Sequence, residues 1–498
     1  MPNLNHPSVH NEGVIKTKVV CTIGPASSSR EILKAFVEEG MNIARLNLSH
    51  CTHEFALQVI NDLRQIQKEM NVRSDVAIWI DVNGPKVRTG KLHEPVTLNK
   101  GDEFFFVNDL SIVGDNKRIA TTYTKELVQV GDQMCVDDGA ISFVVVERLE
   151  NSIRCIVENT GKLDLISGVL YENKGINFPQ RTIEDLPALS AKDKDDVAFA
   201  IANQVDFVSV SCLRDSEDIE ELRRLFLGNS KIKILAKIEN KRGMDNYDQI
   251  LRIADGIIID RGYLGAEVDL EVVVVAQKKM INQANQQGKP IFIANQILES
   301  MKTNIRPTRS EAADVANAVM DGADGLVLSA ETAIGDFVLE SLILMRKICF
   351  KAEQNTNYLE YQMKAMRNVT KPIHINESIA SSAVLCARQV GATLILIITE
   401  LGGTARLVAK YRPVIPVLAA TTVLSTARQL EAHFGLVPFY RPSEENVIQE
   451  ALSKIKLTLE YAVEIGLAKS GEIAVITSGQ VIGFKEGTTT KMQVLTIP

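Results

Sequence analysis

The sequence predicts an α/β protein: a (β/α)8 barrel of the TIM-barrel type with an inserted β-rich domain and a C-terminal α/β domain. Three observations carry this. From Lys16 onward, eight short β-branched runs alternate with longer amphipathic stretches, as parallel strands joined by helical crossovers require. The alternation breaks once, between Asp81 and Asp206, where period-two text with Gly and Asp punctuation takes over. After about Asn355 it resumes in a second register.

The eight strand candidates are KVVCTIG (18–24), NIARLNLS (42–49), VAIWID (76–81), DFVSVSC (206–212), KIKILAKIE (231–239), DGIIID (255–260), KPIFIAN (289–295) and DGLVLS (324–329). Their continuous apolar character fits strands covered on both faces, and eight of them fit a closed barrel better than an open sheet. Between them lie helical segments such as 28–40, 216–227 and 270–288, opened by Ser or Asp; Gly40 and Gly288 close the first and last of these. The segments KGDEFFFV (100–107), GDQMCVDDGAISFVVVE (131–147) and SIRCIVEN (152–159) read as strands of the insertion. Beyond 355, helix 376–391 leads to strand 392–399, 402–412 to 413–421, and 425–435 to 436–440; a long helix from Glu444 to Gly466 precedes strands 472–479 and 491–497. The expected organisation is an N-terminal segment 1–15, a barrel domain 16–86 and 187–355, an inserted domain 87–186 and a C-terminal domain 356–498.

At 498 residues the chain is too long for one core. A hydrophobic fraction of 45% and a charged fraction of 23% exclude disorder and collagen-like structure. A net charge of −7 without a Lys/Arg block argues against nucleic-acid or anionic-membrane partners, but leaves room for a small anionic substrate in a basic pocket. No run is long enough for a spanning helix, and the N-terminus lacks signal architecture. Seven scattered cysteines without a CxxC motif read as free thiols in a reducing compartment, so the expected location is cytoplasmic.

Barrel active sites lie at the carboxyl ends of the strands. Those ends carry Arg45 to His50, Asp81 with Lys86 and Arg88, Lys237 and Glu239, Asp260 to Gly265, Asn295-Gln296, and Ser329 to Thr332. Pooled at one rim, these cations, carboxylates and glycines suit a phosphorylated anion with a divalent cation. Lys237 and Glu239, two apart on a strand, point to the same side. They read either as a buried ion pair closing the barrel top, or as an ammonium stabilising developing negative charge beside a metal-holding carboxylate.

The motifs TKVVCTIGPAS (17–27), GMNIARLNLSHCTHE (40–54), GPKVRTG (84–90), KGINFP (174–179), AKIEN (236–240), RGYLGAEV (261–268), IANQILESM (293–301) and 306–335 resemble pyruvate kinase, in the family's order, from about Lys16 to Pro498. The resemblance implies phosphoryl transfer from phosphoenolpyruvate to ADP, giving pyruvate and ATP in glycolysis, by a homotetramer using Mg²⁺ or Mn²⁺. It assigns catalysis to Arg45 and Lys237, substrate binding to those two with Gly262 and Asn295, and nucleotide binding to Asn47, His50, Arg88 and Lys174. Glu239 and position 263 would ligate the metal; Asn47, Ser49, Asp81 and Val82 would surround a monovalent cation.

The chain also departs from the family pattern. Tyr263 stands where the family's RGDLG has its acid, Asn295 replaces the threonine of ATQ, and Cys51 and Ala330 replace glycines. A phenol is a poor ligand for a hard cation, and an amide cannot relay a proton as a hydroxyl does. Asp81-Val82-Asn83-Gly84-Pro85-Lys86 resembles the potassium-independent members, so the Lys86 ammonium is expected in place of K⁺ and K⁺ is not required. Glu400, in the loop Thr399 to Thr404, argues against fructose bisphosphate activation there. The alternative left open is an impaired family member acting as a binding or oligomer-partner subunit.

Overall fold

The structure, a computed structural model, describes residues 9–10, 13–70, 76–121, 128–137, 139–163, 175–178, 187–226, 231–442, 450–479 and 489–498. All eight expected barrel runs are strands: Lys18–Thr22, Ile43–Asn47, Ala77–Val82, Phe207–Val210, Lys233–Ile238, Gly256–Asp260, Ile291–Ala294 and Gly325–Leu328. They close into one parallel barrel, the eighth strand pairing with the first from Gly325↔Lys18 to Leu328↔Cys21. Alternate residues of each strand face in or out. Val20, Ile43, Trp79, Phe207, Leu235, Ile258, Phe292 and Val327 form the interior core, while their neighbours pack outward on the helix ring.

Helix ends follow the local chemistry. The hydroxyls of Ser190 and Thr308 each accept from the backbone N–H three residues on, in reciprocal capping boxes with Asp193 and Glu311. Gly288 ends the helix Leu270–Gln287 at φ 68°, a left-handed position that costs glycine little.

The interruption is a seven-stranded sheet with a separate two-stranded pair. Its strands Ile141–Arg148 and Ser152–Val157 bury every second residue, as their period-two text requires. Phe104, Phe106 and Phe143 meet there with ring centroids 5.1–5.6 Å apart. The C-terminal sheet runs in the order Leu436–Tyr440, Val417–Thr421, Leu394–Ile398, Ile473–Gly479, Thr489–Thr496, parallel except for the last strand. The expected helix from Glu444 is described over Glu450–Glu464; its first residues lie outside the described residues. Two elements had no counterpart in the sequence reading: the short pairing of Val9–His10 with Gly13–Val14, and the helix Tyr358–Asn368.

The C-terminal domain plugs the barrel floor. Ala432 belongs to the interior core cluster. Glu431 accepts from Asn42 Nδ2 (2.9 Å) and pairs with Lys18 Nζ (3.4 Å), which also donates to the Leu436 carbonyl (2.7 Å). Arg412 Nη2 spans the same joint, donating to Asn285 Oδ1, the Gly322 carbonyl and Asp324 Oδ2 at 2.7–3.1 Å.

Phe143 is fully buried in the inserted sheet, and Phe143→Ala will destabilise that domain by about 3–5 kcal/mol. Trp79, the single tryptophan, is buried in the barrel and reports on it separately. In urea the circular-dichroism transition should begin earlier while the Trp79 fluorescence midpoint stays put. Both probes moving together would mean that insertion and barrel unfold as one unit.

Candidate active site at the barrel mouth

A cleft of about 410 Å³ opens at the carboxyl ends of the barrel strands. Strand ends deliver its charged lining: Arg45, Lys237 and Asp260 from the strands, Lys86 and Arg88 from the connection into the insertion, and Gly175 from the insertion itself.

Its floor is a buried charge network centred on Asp81. Arg45 Nη2 and Nε lie 2.6 and 3.0 Å from Asp81 Oδ2, with Lys237 Nζ at 3.1 Å from the same oxygen. Asp81 Oδ1 accepts from Ser209 Oγ at 2.6 Å, and Ser209 in turn accepts from Trp79 Nε1 at 2.6 Å. Lys237 also reaches Ser211 Oγ (3.2 Å), Glu239 Oε1 (2.7 Å) and Asp260 Oδ2 (3.6 Å). Burial alone would neutralise these groups. Instead Lys237 and Arg45 hold the Asp81 carboxyl below its ordinary range, and Asp81 with Glu239 holds the Lys237 ammonium above its own. Asp81 and Lys237 both stay charged. The reading of Lys237 and Glu239 as a close pair on one face of their strand agrees with this geometry.

Lys86 departs from expectation. The sequence placed its ammonium among Asn47, Ser49, Asp81 and Val82. In the structure it pairs with Glu239 Oε2 at 2.9 Å and lies 3.4 Å from the centroid of the Tyr263 ring. The reason is competition. Asp81 is already taken by Arg45, Lys237 and Ser209, the Val82 carbonyl accepts from the Ser211 N–H (3.3 Å), and the Asn47 side chain caps its own loop at the Ser49 N–H (3.1 Å). Glu239 takes the ammonium on Oε2, leaving Oε1 to Lys237. It also accepts from the Cys212 N–H (2.9 Å) and Sγ (3.1 Å). Although burial opposes it, the two lysines hold the Glu239 carboxyl well below its usual range.

Tyr263 does more than replace an acid. Its ring is the surface against which the insertion rests: a Cβ at Gly175 would come within 2.6 Å of Tyr263 Cε1, so only glycine fits there. Asn177 Nδ2 donates to Glu267 Oε1 (3.2 Å), tying the same segment to the strand-six side. Asp260 Oδ1 accepts from Asn295 Nδ2 at 2.6 Å, and Asn295 Oδ1 accepts from Ser329 Oγ at 2.7 Å. Asn295 and Gln296 hold left-handed φ of 64° and 52°, strained for residues with a Cβ and tolerated best by asparagine. Gly262 is buried in the turn after strand six; the Arg261 guanidinium reaches Asp314 (2.6 Å) and the Asn295 and Gln296 carbonyls, outside the set that lines the cleft.

Of the nucleotide-side expectations, Asn47, His50 and Arg88 line the cleft, as does Ser49 from the expected monovalent-cation region, and Arg88 Nε donates to Asn83 Oδ1 (2.7 Å). Cys51 and Ala330 line it too. Lys174 lies outside the described residues. Sequence reasoning missed Thr22, which accepts from Arg45 Nη1 (2.9 Å), and Ser209 and Ser211. In the loop Thr399–Thr404, the Glu400 carboxylate accepts from the Thr422 hydroxyl, and the Gly402 N–H donates to Thr399 Oγ1 (3.0 Å).

The residues expected to ligate a divalent metal do not form a cage for one. Glu239 and Tyr263 both face the Lys86 ammonium, and among the described residues no group of three or more His, Cys, Asp or Glu side chains is arranged to hold an ion.

A family model described as the barrel domain of pyruvate kinase matches residues 14–342, and one described as the alpha/beta domain of pyruvate kinase matches 377–495. A pyruvate kinase of Dictyostelium discoideum is 40% identical over 497 residues, covering 97% of this chain and 94% of that protein. A cytosolic isozyme of pyruvate kinase from Nicotiana tabacum is 40% identical over 92% of this chain and 93% of that one. A crystal structure of a pyruvate kinase from Cryptosporidium parvum superposes with a TM-score of 0.85 at 36% identity, covering 97% and 96% of the two chains.

Glu331 buttresses the end of strand eight, accepting from the Leu298 and Ser329 N–H groups at 3.0 and 2.8 Å. Burial, reinforced by Glu299, pushes its carboxyl up to about 7. From the ordinary glutamate range up to that value, the folded chain holds a proton that the unfolded chain has released, so this group makes stability fall as pH rises. Glu331→Gln should flatten that fall by up to about 1.4 kcal/mol per pH unit, read from urea midpoints at pH 5, 6 and 7. An unchanged slope would show that Glu331 titrates normally.

Proposed function

The chain belongs to the pyruvate kinase family and is a phosphotransferase; from that premise we propose that the mouth of its barrel moves the phosphoryl group of phosphoenolpyruvate onto ADP. An ADP β-phosphate oxygen attacks phosphorus, the bond from phosphorus to the enol oxygen breaks, and the enolate left behind takes a proton at its methylene carbon to give pyruvate. One observation carries the assignment of roles: the buried Lys237 ammonium sits at the centre of the cleft, fixed by Asp81 and Glu239 beside Arg45. A charge held in place before substrate arrives stabilises the phosphoryl group in flight and then the enolate oxygen, with no reorganisation during the reaction. Arg45 binds the same phosphoryl group. Asn47, His50, Arg88 and Lys174 meet the nucleotide phosphates, and the backbone at Gly262 meets the substrate carboxylate. Asn295 holds position beside the substrate, and the Ser329 hydroxyl bonded to it supplies the proton-passing group that an amide lacks.

Three cations, Arg45, Lys86 and Lys237, stand against three carboxylates, Asp81, Glu239 and Asp260. The network is neutral before substrate arrives. Members of the family generally use a divalent metal; the substrate phosphates, more than these side chains, would hold Mg²⁺ or Mn²⁺, which would supply charge neutralisation at the transferring group. K⁺ is not required, since Lys86 adds an ammonium within the site. Homo-oligomerisation, as a tetramer, is supported by the exposed Leu270, Val274 and Val275 on the outer helix Leu270–Gln287. No helix among the described residues is long and apolar enough to cross a membrane, and we place the enzyme in the cytoplasm, in glycolysis.

The test is pyruvate formation from phosphoenolpyruvate and ADP, coupled to lactate dehydrogenase, with Mg²⁺ or Mn²⁺. Lys237→Met should cost on the order of 10³-fold in rate or more, and replacing K⁺ by tetramethylammonium at constant ionic strength should change little. A native rate no greater than that of Lys237→Met would leave the chain as a non-catalytic partner subunit; tenfold activation by K⁺ would overturn the role given to Lys86.

Tyr263→Asp offers Glu239 a second carboxylate for the cation. The Mg²⁺ midpoint of the assay should fall about tenfold, equivalent to 1.4 kcal/mol, with Tyr263→Phe unchanged. A midpoint that does not move would show that Lys86 neutralises both acids and keeps the metal out.

A further inference from the structure

A second cavity, of about 640 Å³, lies at the opposite end of the barrel, between its floor and the C-terminal domain. Its polar lining is mostly donors. Lys16, 9% exposed, precedes strand one; its ammonium sits 4.6 Å over the Tyr358 ring, and no carboxylate among the described residues comes within ion-pairing distance. Gln362 Nε2, Tyr358 Oη and Arg412 Nη1 belong to residues lining the same cavity, and each is buried without a hydrogen-bond partner. Orphaned buried donors are rare, because each has given up water for nothing. Three side chains that each leave one buried polar atom unbonded share this cavity with the Lys16 ammonium, and together they mark a place built to meet an acceptor. The one lining carboxylate, Glu353, is occupied: it accepts the Lys16 and Thr17 backbone N–H groups at 2.7–3.1 Å. With Arg388, the lining holds three cations against that single acid; Arg412 is paired through Nη2 with Asp324 outside the lining and turns only Nη1 free of a partner. The remaining wall is apolar, with Phe350, Val384, Pro413 and Ile415. Arg412 adds an independent sign. It holds a left-handed backbone, φ 47°, a strained conformation of the kind found at ligand clamps, while its Nη2 ties the barrel to the C-terminal domain.

We propose that this cavity binds a small organic anion, a carboxylate or phosphate carried on an apolar body, with Lys16, Gln362 and Arg412 holding the oxyanion and the apolar wall holding the rest. The site is separate from the mouth, since Lys16 and Arg412 gather at the amino ends of the strands and the reacting groups at the carboxyl ends. Its occupant bridges barrel and C-terminal domain at the joint that Arg412 spans.

The experiment titrates the full chain by calorimetry with phenyl phosphate and with phenylacetate, in the presence of saturating phosphoenolpyruvate to fill the mouth. Benzylamine is the charge-reversed control. At least one anion should bind with one site per chain, the preferred one identifying the head group, and benzylamine should not bind. Lys16→Met and Gln362→Leu each should weaken binding tenfold or more while the basal rate of the coupled assay stays unchanged, since neither residue touches the mouth. Gln362→Leu carries the test by itself if Lys16→Met fails to fold. Absence of binding by both anions, equal binding of benzylamine, displacement by phosphoenolpyruvate, or variants that bind as the native chain does would each overturn the proposal.

Discussion

The mouth of this barrel is organised by one buried carboxylate. Asp81 has no exposed surface, yet it is the common partner of Arg45 and Lys237 and is gripped from below by Ser209, itself bonded to Trp79. A lone ion there would shift its pKa and neutralise; two cations and a hydroxyl keep it charged. The dependence is mutual, because Asp81 in turn helps Glu239 hold the buried Lys237 ammonium above its ordinary range. Everything done to an incoming phosphate is therefore fixed by a residue that reaches it only through Arg45 and Lys237. The line from the interior tryptophan to the mouth shows how the packing of the barrel and the electrostatics of the site share side chains.

Lys86 and Tyr263 make sense as a pair. An ammonium 2.9 Å from Glu239 fills the electrostatic role that a bound cation would have, and the neutral ring beside it gives that ammonium a face to rest on. A tyrosine at 263 without the lysine would leave Glu239 with Lys237 as its one cation. The ring also carries the inserted domain at Gly175. Two departures met separately along the sequence, Lys86 and Tyr263, thus compose a single arrangement.

The barrel was legible because parallel strands covered on both faces must be apolar throughout, and eight such runs stand out against their helices. The insertion was legible for the opposite reason, since half-buried strands must alternate, as Ile141–Arg148 does. Two elements were not. The pairing of Val9–His10 with Gly13–Val14 is too short to show a period, and YLEYQMKAMRN buries only Tyr358 and Gln362, so it lacks a continuous apolar stripe. At the site, the strand-end rule delivered Arg45, Lys237 and Asp260 to one cleft, with Glu239 buried behind Lys237. It could not say which carboxylate Lys86 would choose, because that depends on which acids other chain segments have already neutralised. Ser209 and Ser211 escaped notice because a serine in an apolar strand carries no signal of its own until its partner is known.

The plug at the barrel floor bears on what can be cut from what. Ala432 completes the interior packing and Glu431 neutralises Lys18, which is 1% exposed. A chain ended after the barrel would strip that ammonium of its acid and open a hole under the innermost layer of side chains. The boundary that separates two modules in sequence is thus not a line along which the protein comes apart. The barrel borrows its last interior residue from the domain that follows it, so the two are packed as one object.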